Sequence, residues 1–490
     1  MGNPKKNFLY NIIYQVLILI IPLITAPYLA RVVGADGVGI YSYTYSIVYY
    51  FMLLTLLGVN NYGNRTIAKV RDDKEKTSKT FWSIYSLQLS MGMIMILVYI
   101  LYILIFDNSY KLYASIEILF IVSAMLDINW FFFGMEEFKK TITRNTIVKI
   151  VNVILIFTLV KSINDLWKYT LIMAGMTLFG QLILWSFLRN KIKFVKVSIH
   201  DIKSHIKPNL ILFIPVIAIS LYKMMDKIML GSISNVTEVG YYENAEKIIG
   251  IPMTLITALG TVMLPRVSNL ISKGSIEKVN DYISKSIKFV MFMSFAMCFG
   301  LIAIGYNFAP IYFGKSFQKT GVLIMMLAIT LPFLSFANVI RTQYLIPKEK
   351  DKIYIISVSL GAITNLIMNF IFIPIMESVG ACIGTIAAEF IVMFYQAFSV
   401  RKELNILKYL KDIIPFLLKT VVMFIIIYPL NLIYMNNLLR LVTQIIVGIV
   451  LYSLLNIRYI NSLINYKKLF KKLPLIKPFK KEGFVKWKLQ

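Results

Sequence analysis

Ionisable side chains lie inside long apolar runs of this 490-residue sequence, among them Lys149, Lys223, Lys227, Lys247, Arg341, Lys419 and Arg440, with Asp127, Asp226, Glu243, Glu246 and Glu389. A charge at bilayer depth costs on the order of 3 kcal/mol on insertion scales, so such groups face a bundle interior or an aqueous cavity. Two adjacent runs concentrate them, one carrying Lys223, Asp226 and Lys227, the next Glu243, Glu246 and Lys247, at similar depth. One reading is pairing along a helix, as for Glu243 and Lys247 at i, i+4, with snorkelling to the surface. The other is a cavity mouth, where ammonium groups meet an anionic substrate and a carboxylate carries a coupling ion. Asp127 and Glu389 lie deeper in their runs, suited to ion coupling or to hydrogen bonding between helices. Arg31, Arg65 and Arg341 stay charged and fork onto phosphate oxygens, which suits a diphosphate head group, or else anchor helix ends at the interface.

Other chemistries find few residues. Cys298 and Cys382 lie in separate apolar runs and His200 and His205 in one polar stretch, so a disulfide framework, a CxxC zinc site and Cys/His catalysis have no basis. Ala309 to Ser316 ends Gly-Lys-Ser but lacks the first glycine of a phosphate loop and a preceding strand. Gly34, Gly37 and Gly39 do not fit a dinucleotide fingerprint and are expected to permit a tight hairpin. No catalytic set and no cofactor is expected from these residues.

The elements that must position these charges are membrane helices. Hydrophobic residues make up 58% and charged ones 16%, against about 45–50% and about 25% in soluble domains. A net charge of +28 raises nucleic acid as a partner, but apolar runs of bilayer length outweigh it, because positive charge also gathers on the cytoplasmic side of membrane proteins. Cutting at runs of about 20 residues gives about fourteen spans: 8–30, 41–61, 81–106, 114–137, 146–162, 168–188, 208–231, 240–265, 289–305, 320–345, 353–375, 380–399, 412–430 and 438–457. With both termini cytoplasmic, the inner segments hold 39 Lys and Arg and the outer ones 6. The connecting loops are short, which leaves no soluble lobe for a membrane polymerase or acyltransferase. The tail from Tyr466 to Leu489 interleaves nine lysines with Phe470, Phe479, Phe484 and Trp487, and is expected to bind anionic lipid rather than nucleic acid.

The sequence also repeats. Val38-Gly39-Ile40-Tyr41 pairs with Val239-Gly240-Tyr241-Tyr242, Leu57-Gly58 with Leu259-Gly260, and Gly134-Met135-Glu136 with Pro347-Lys348-Glu349. An even-numbered unit of six helices makes this a parallel repeat about an axis along the membrane normal. The expected all-α architecture is two six-helix lobes facing a central cavity, residues 1–200 and 201–400. Two further helices occupy 401–457 as an appendix, and 458–490 form a basic cytoplasmic tail.

Several of these stretches resemble one family. Pro27-Tyr28-Leu29-Ala30-Arg31-Val32-Val33-Gly34 with Gly37-Val38-Gly39-Ile40-Tyr41, Tyr62-Gly63-Asn64-Arg65, Asp127-Ile128-Asn129-Trp130-Phe131-Phe132-Phe133-Gly134, and Asp226-Lys227-Ile228-Met229-Leu230-Gly231 leading to Gly240-Tyr241-Tyr242-Glu243-Asn244-Ala245-Glu246-Lys247 are similar to Wzx-type flippases of bacterial polysaccharide synthesis, within the multidrug/oligosaccharidyl-lipid/polysaccharide exporters. The match runs to about residue 400. The resemblance implies ion-coupled alternating access in a bacterial plasma membrane. The cargo would be an undecaprenyl-diphosphate-linked oligosaccharide carried to the outer leaflet for capsule, exopolysaccharide or O-antigen. Membrane lipids and the polysaccharide synthesis machinery are the expected partners. It makes Arg31, Arg65, Lys223, Lys227, Lys247 and Arg341 candidates for substrate, and Asp127, Asp226, Glu243, Glu246 and Glu389 candidates for the coupling ion. A cation-coupled multidrug exporter or a lipid II flippase of the same fold is the alternative. In related lipid II flippases arginines serve near the outer end of helix one and in helix eight. Arg31 matches the first, whereas helix eight here carries Glu243, Glu246 and Lys247.

Overall fold

The computed structural model describes residues 4–105, 109–189, 191–433 and 435–463, with side chains given except at 4–19, 214, 215, 218, 219, 221–223, 262 and 276. The expected basic tail from Tyr466 onward lies outside these residues. Among the described residues every regular element is helical. The first half contains α1 (Pro4–Leu56), α2 (Val59–Val70), α3 (Lys74–Ile105), α4 (Lys111–Met125), α5 (Asn129–Gly134), α6 (Phe138–Leu159), α7 (Leu166–Ser186) and α8 (Ile199–Ser204). There follow α9 (Ile206–Ile233), α10 (Val236–Ser272), α11 (Ile276–Tyr312), α12 (Gln318–Ala328), α13 (Thr330–Ile340), α14 (Asp351–Met376), α15 (Ser378–Val400), α16 (Ile406–Ile427) and α17 (Asn437–Leu455).

Twelve stretches among the described residues are long and apolar enough to cross a bilayer. The fourteen expected spans map onto them unevenly: 8–30 and 41–61 meet in the first, Ile20–Val70, and 208–231 falls on α9, which is not one of the twelve. Long stretches of the outward faces are apolar. Ile363, Ile367, Phe370, Ile371 and Ile375 of α14 and Leu97, Leu101, Leu104 and Ile105 of α3 are all exposed. Apolar surface of that extent is not stable against water, and helices, whose backbone groups pair internally, can present it to lipid. The chain is a multi-pass membrane protein.

The 53 residues of α1 would span about 80 Å if straight, far beyond a hydrocarbon core of about 30 Å. The helix breaks at Gly34, whose φ of 70° and ψ of −177° lie outside the helical region and are open to a residue without a Cβ. The expected turn therefore rests on Gly34 alone, because one residue suffices and Gly37 and Gly39 stay helical. Beyond the break the second arm runs against α9 in the opposite sense, Tyr43 meeting Ser232, Ser46 meeting Met224 and Tyr50 meeting Ser220. Gly39 serves a different need. A Cβ there would sit 1.7 Å from the Val236 carbonyl oxygen, and one on Gly240 would sit 2.0 Å from that of Ala35, so α1 and α10 touch backbone to backbone.

Two helix ends, 213 residues apart, close identically. Glu136 and Glu349 have φ of 57° and 55°. The Glu137 amide donates to the Phe132 carbonyl at 2.8 Å and the Lys350 amide to the Leu345 carbonyl at 2.9 Å, the long-reach bond of a Schellman cap. These are the ends paired in the sequence as Gly134-Met135-Glu136 and Pro347-Lys348-Glu349. Helices α16 and α17 are built into the second half rather than appended to it. Phe416, Met423, Ile427 and Tyr452 join the buried cluster of Ile287, Val290 and Phe292, and the Tyr452 hydroxyl donates to the Phe292 carbonyl at 2.8 Å.

Candidate functional site

A tight turn at Ser234 and Asn235 folds α10 back along α9, and the Asn235 side chain caps α10 by accepting from the Glu238 amide at 3.0 Å. This hairpin brings residues eight or so positions before and after the turn together. Lys227 Nζ lies 2.5 Å from Glu243 and 2.9 Å from Glu246, and Lys247 lies 3.1 Å from Glu243. Lys227 is 8% exposed. Glu243 and Lys247 thus pair along one helix, as the first reading expects, and Lys227 bridges to Glu243 and Glu246 across the hairpin.

The neighbouring Asp226 faces the other way. Its carboxylate accepts from the Tyr242 hydroxyl at 2.7 Å, Thr385 at 2.8 Å and the Asn369 amide at 2.6 Å, all neutral donors. It borders a cavity of about 390 Å³ enclosed by α9, α10, α12, α13, α14 and α15, whose polar lining includes Glu246, Asn338, Arg341, Glu389 and Gln396. Arg341 opens the π turn Arg341–Leu345 that follows α13. A π turn displaces side chains from the α-helical register and recurs at functional sites. The Arg341 guanidinium donates to Asn338 Oδ1 at 2.7 Å and stands 5.5 Å from the Tyr354 ring centroid. Glu389, 4% exposed, has no hydrogen bond or ion pair among the described residues.

Of the candidates named from sequence, Asp226, Glu246, Arg341 and Glu389 thus share one cavity, and Lys227, Glu243 and Lys247 form the adjoining ion cluster, with Glu246 common to both. The others lie elsewhere. Arg31 donates to the Ile311 carbonyl at 2.7 Å, tying α1 to α11, and Arg65 is exposed on α2. Asp127 accepts from the Asn129 amide at 2.8 Å, and Arg144 donates to Asn129 at 2.6 Å, a separate cluster in the first half. The side chain of Lys223 is outside the described ones. Tyr242, Asn369 and Thr385 were not singled out from sequence because only charges were counted within spans. Their signal was a polar side chain in an apolar run. Glu117 is different, a charge inside the expected span 114–137 that was left out of the candidates; it is buried and accepts from Thr44 at 2.9 Å.

The halves meet along a seam next to the ion cluster. Thr237 donates to Asp36, Tyr43 bonds Ser232 at 3.1 Å, and α1 and α10 cross beside them at Gly39 and Gly240. Farther along, the Tyr62 hydroxyl meets His205 Nδ1 at 2.6 Å.

Comparison with known proteins places this geometry. Along 93% of its length the chain superposes on a structure of "Lipid II flippase MurJ, inward closed conformation", covering 99% of that protein at a TM-score of 0.74 and 16% identity. An inward-facing multidrug resistance MATE family transporter matches 80% of the chain and 99% of its own length at a TM-score of 0.61 and 12% identity. These likenesses show a shared fold. In sequence the chain is similar to the "Putative O-antigen transporter" of Escherichia coli (strain K12), 24% identical over 405 residues, 81% of this chain and 97% of the relative. The protein of the same name from Shigella dysenteriae is 24% identical over 406 residues, 81% of this chain and all of the relative. Residues 5–271, more than half the chain, match the sequence model of one family, and the protein is a member of that family, described as polysaccharide biosynthesis protein.

Proposed function

We propose that this protein is a flippase, not an enzyme, that carries an undecaprenyl-diphosphate-linked oligosaccharide from the cytoplasmic to the outer leaflet of a bacterial plasma membrane. Both termini are cytoplasmic, the lobes 1–200 and 201–400 rock about the seam, and a proton or sodium gradient drives the cycle. The observation that carries this reading is that Glu246 belongs at once to the cavity and to the ion cluster. Lys227 is shared between Glu243 and Glu246. A cation taken up among Asp226, Glu246 and Glu389 neutralises part of that grip and frees the ammonium for an anionic head group. Its departure restores the pairing and releases the head group. Binding of each ligand thereby biases the state that the other prefers, the requirement for coupled transport. Arg341 and Lys247 complete the cationic surface, while Arg31 and Arg65 act at the seam and the mouth.

The test is transport in proteoliposomes. The lipid-linked oligosaccharide is placed in the inner leaflet, a proton or sodium gradient is imposed, and exposure to an external glycosidase is followed. Gradient-dependent exposure supports the flippase and identifies the ion. Exposure no greater than in empty liposomes refutes it, and gradient-driven loss of small organic cations from the same vesicles would indicate a drug exporter instead.

A further inference from the structure

The second arm of α1 carries tyrosines at 41, 43, 45, 49 and 50. At 3.6 residues per turn, positions 43 and 50 share one side, and 41, 45 and 49 form a row on another. The two sets are used differently. Tyr43 bonds Ser232 and Tyr50 donates to the Ser220 carbonyl at 3.2 Å, so both hydroxyls fasten α1 to α9. In the row, ring centroids of Tyr41 and Tyr45 are 5.7 Å apart and those of Tyr45 and Tyr49 6.2 Å. Their backs rest on the first half, Tyr41 against Tyr169 at 4.7 Å and Tyr45 against Phe120 at 5.1 Å. None of the three hydroxyls has a hydrogen-bond partner among the described residues, and none is among the enclosed polar atoms that lack one, so all three open onto free space. Beside Tyr41 that space is a small polar crevice shared with Glu243 and Lys247 across the seam. Lipid-facing surfaces here are Ile, Leu and Phe, as on α14.

A phenol joins an apolar face to a polar edge, and a hydroxyl left open at membrane depth calls for a polar partner. The ring spacing follows the helical rise, about 6 Å for every four residues. We infer that Tyr41, Tyr45 and Tyr49 form a carbohydrate rail, on which successive pyranose rings lay their C–H faces against the phenols and bond the open hydroxyls. This rests on the flippase reading and specifies its sugar-binding surface. The rail ends at Tyr41 beside Lys247, so a glycan lying along it brings its charged end to the ion cluster.

Binding to the purified full chain in lipid nanodiscs tests this with two probes, bare undecaprenyl diphosphate and the same lipid bearing a neutral trisaccharide. In the wild type the trisaccharide tightens binding by at least about tenfold. Tyr49→Ala, and separately the ring-preserving pair Tyr45→Phe and Tyr49→Phe, abolish most of that difference while both proteins bind the bare lipid alike. A sugar-dependent gain that survives both variants overturns the rail and leaves the flippase reading intact. So does a wild type that binds the two probes equally. A wild type that binds neither removes the lipid-carrier reading, and the rail with it.

Discussion

Gly39→Ala tests whether the α1–α10 contact sets the state of the carrier. The added Cβ would sit 1.7 Å from the Val236 oxygen, whereas real Cβ contacts are essentially never under 3.0 Å, so the helices must part by at least 1.3 Å, the difference of the two. Both neighbours are backbone and cannot swing aside. Overpacking of this kind costs about 1–3 kcal/mol. Each 1.4 kcal/mol is a factor of ten, so the closed seam loses about fivefold to a hundredfold in population against any state in which α1 and α10 are apart. The assay is disulfide formation between Asp36→Cys and Thr237→Cys, which replace a bonded pair across the seam. Cys298 and Cys382 are buried and contribute little background. The cross-linking rate in membranes should fall at least about fivefold when Gly39→Ala is added, with the melting temperature in detergent as the control for folding. Cross-linking at the parent's rate would show that this contact does not govern closure.

Three further outcomes follow from the site. Lys227→Met strands Glu243 and Glu246 without their shared ammonium, and thermal denaturation in detergent should register a loss of about 3–5 kcal/mol, most of it recovered on adding Glu243→Gln and Glu246→Gln; an unchanged melting curve would remove the ion cluster from the stability argument. Glu389→Gln, at a cavity position without partners, should leave folding within about 1 kcal/mol of the wild type yet cut gradient-driven glycan exposure at least tenfold, and full transport by this variant would exclude Glu389 from coupling. Burial holds the His205 imidazole below its ordinary value of 6.5, with Asp201 pulling the other way. Because the folded value is depressed, the stability contributed is present above about 6.5 and lost as pH falls through the lowered value; His205→Gln should flatten that part of the melting profile between about pH 7.5 and about 5, and an unaltered slope would assign the pH dependence elsewhere.

Charge was the most legible signal in the sequence, since a charged residue in an apolar run stands out by type alone. Lys227 and Glu243 could be matched in depth because their helices share one turn. The cavity could not be read this way. Arg341 and Glu389 are 48 positions apart on different helices, and the π turn that presents Arg341 is a backbone register that composition does not encode. Arginines grouped by type proved to have different surroundings, Arg31 on a carbonyl at the seam and Arg65 exposed. Arg144, placed in a loop by its charge, is 6% exposed and bonded to Asn129. The paired helix ends at Glu136 and Glu349 were visible as weak motifs, and the left-handed torsion they share needed coordinates. The joining of two expected spans into α1 depends on one residue's dihedral angles.

That joining has a mechanical consequence. Gly34 at one end and Leu57–Gly58 at the other, with φ of 44° and 82°, bracket an unbroken helical rod of 22 residues, 35–56. At 1.5 Å per residue the rod is about 33 Å long, so a swing of about 10° at Gly34 carries its far end through about 6 Å, a little more than one helical turn. Tyr41, Tyr45 and Tyr49 ride on this lever at increasing distance from its pivot. A single rotation about two backbone bonds would sweep them through graded arcs, smallest beside the ion cluster and largest at the distal ring.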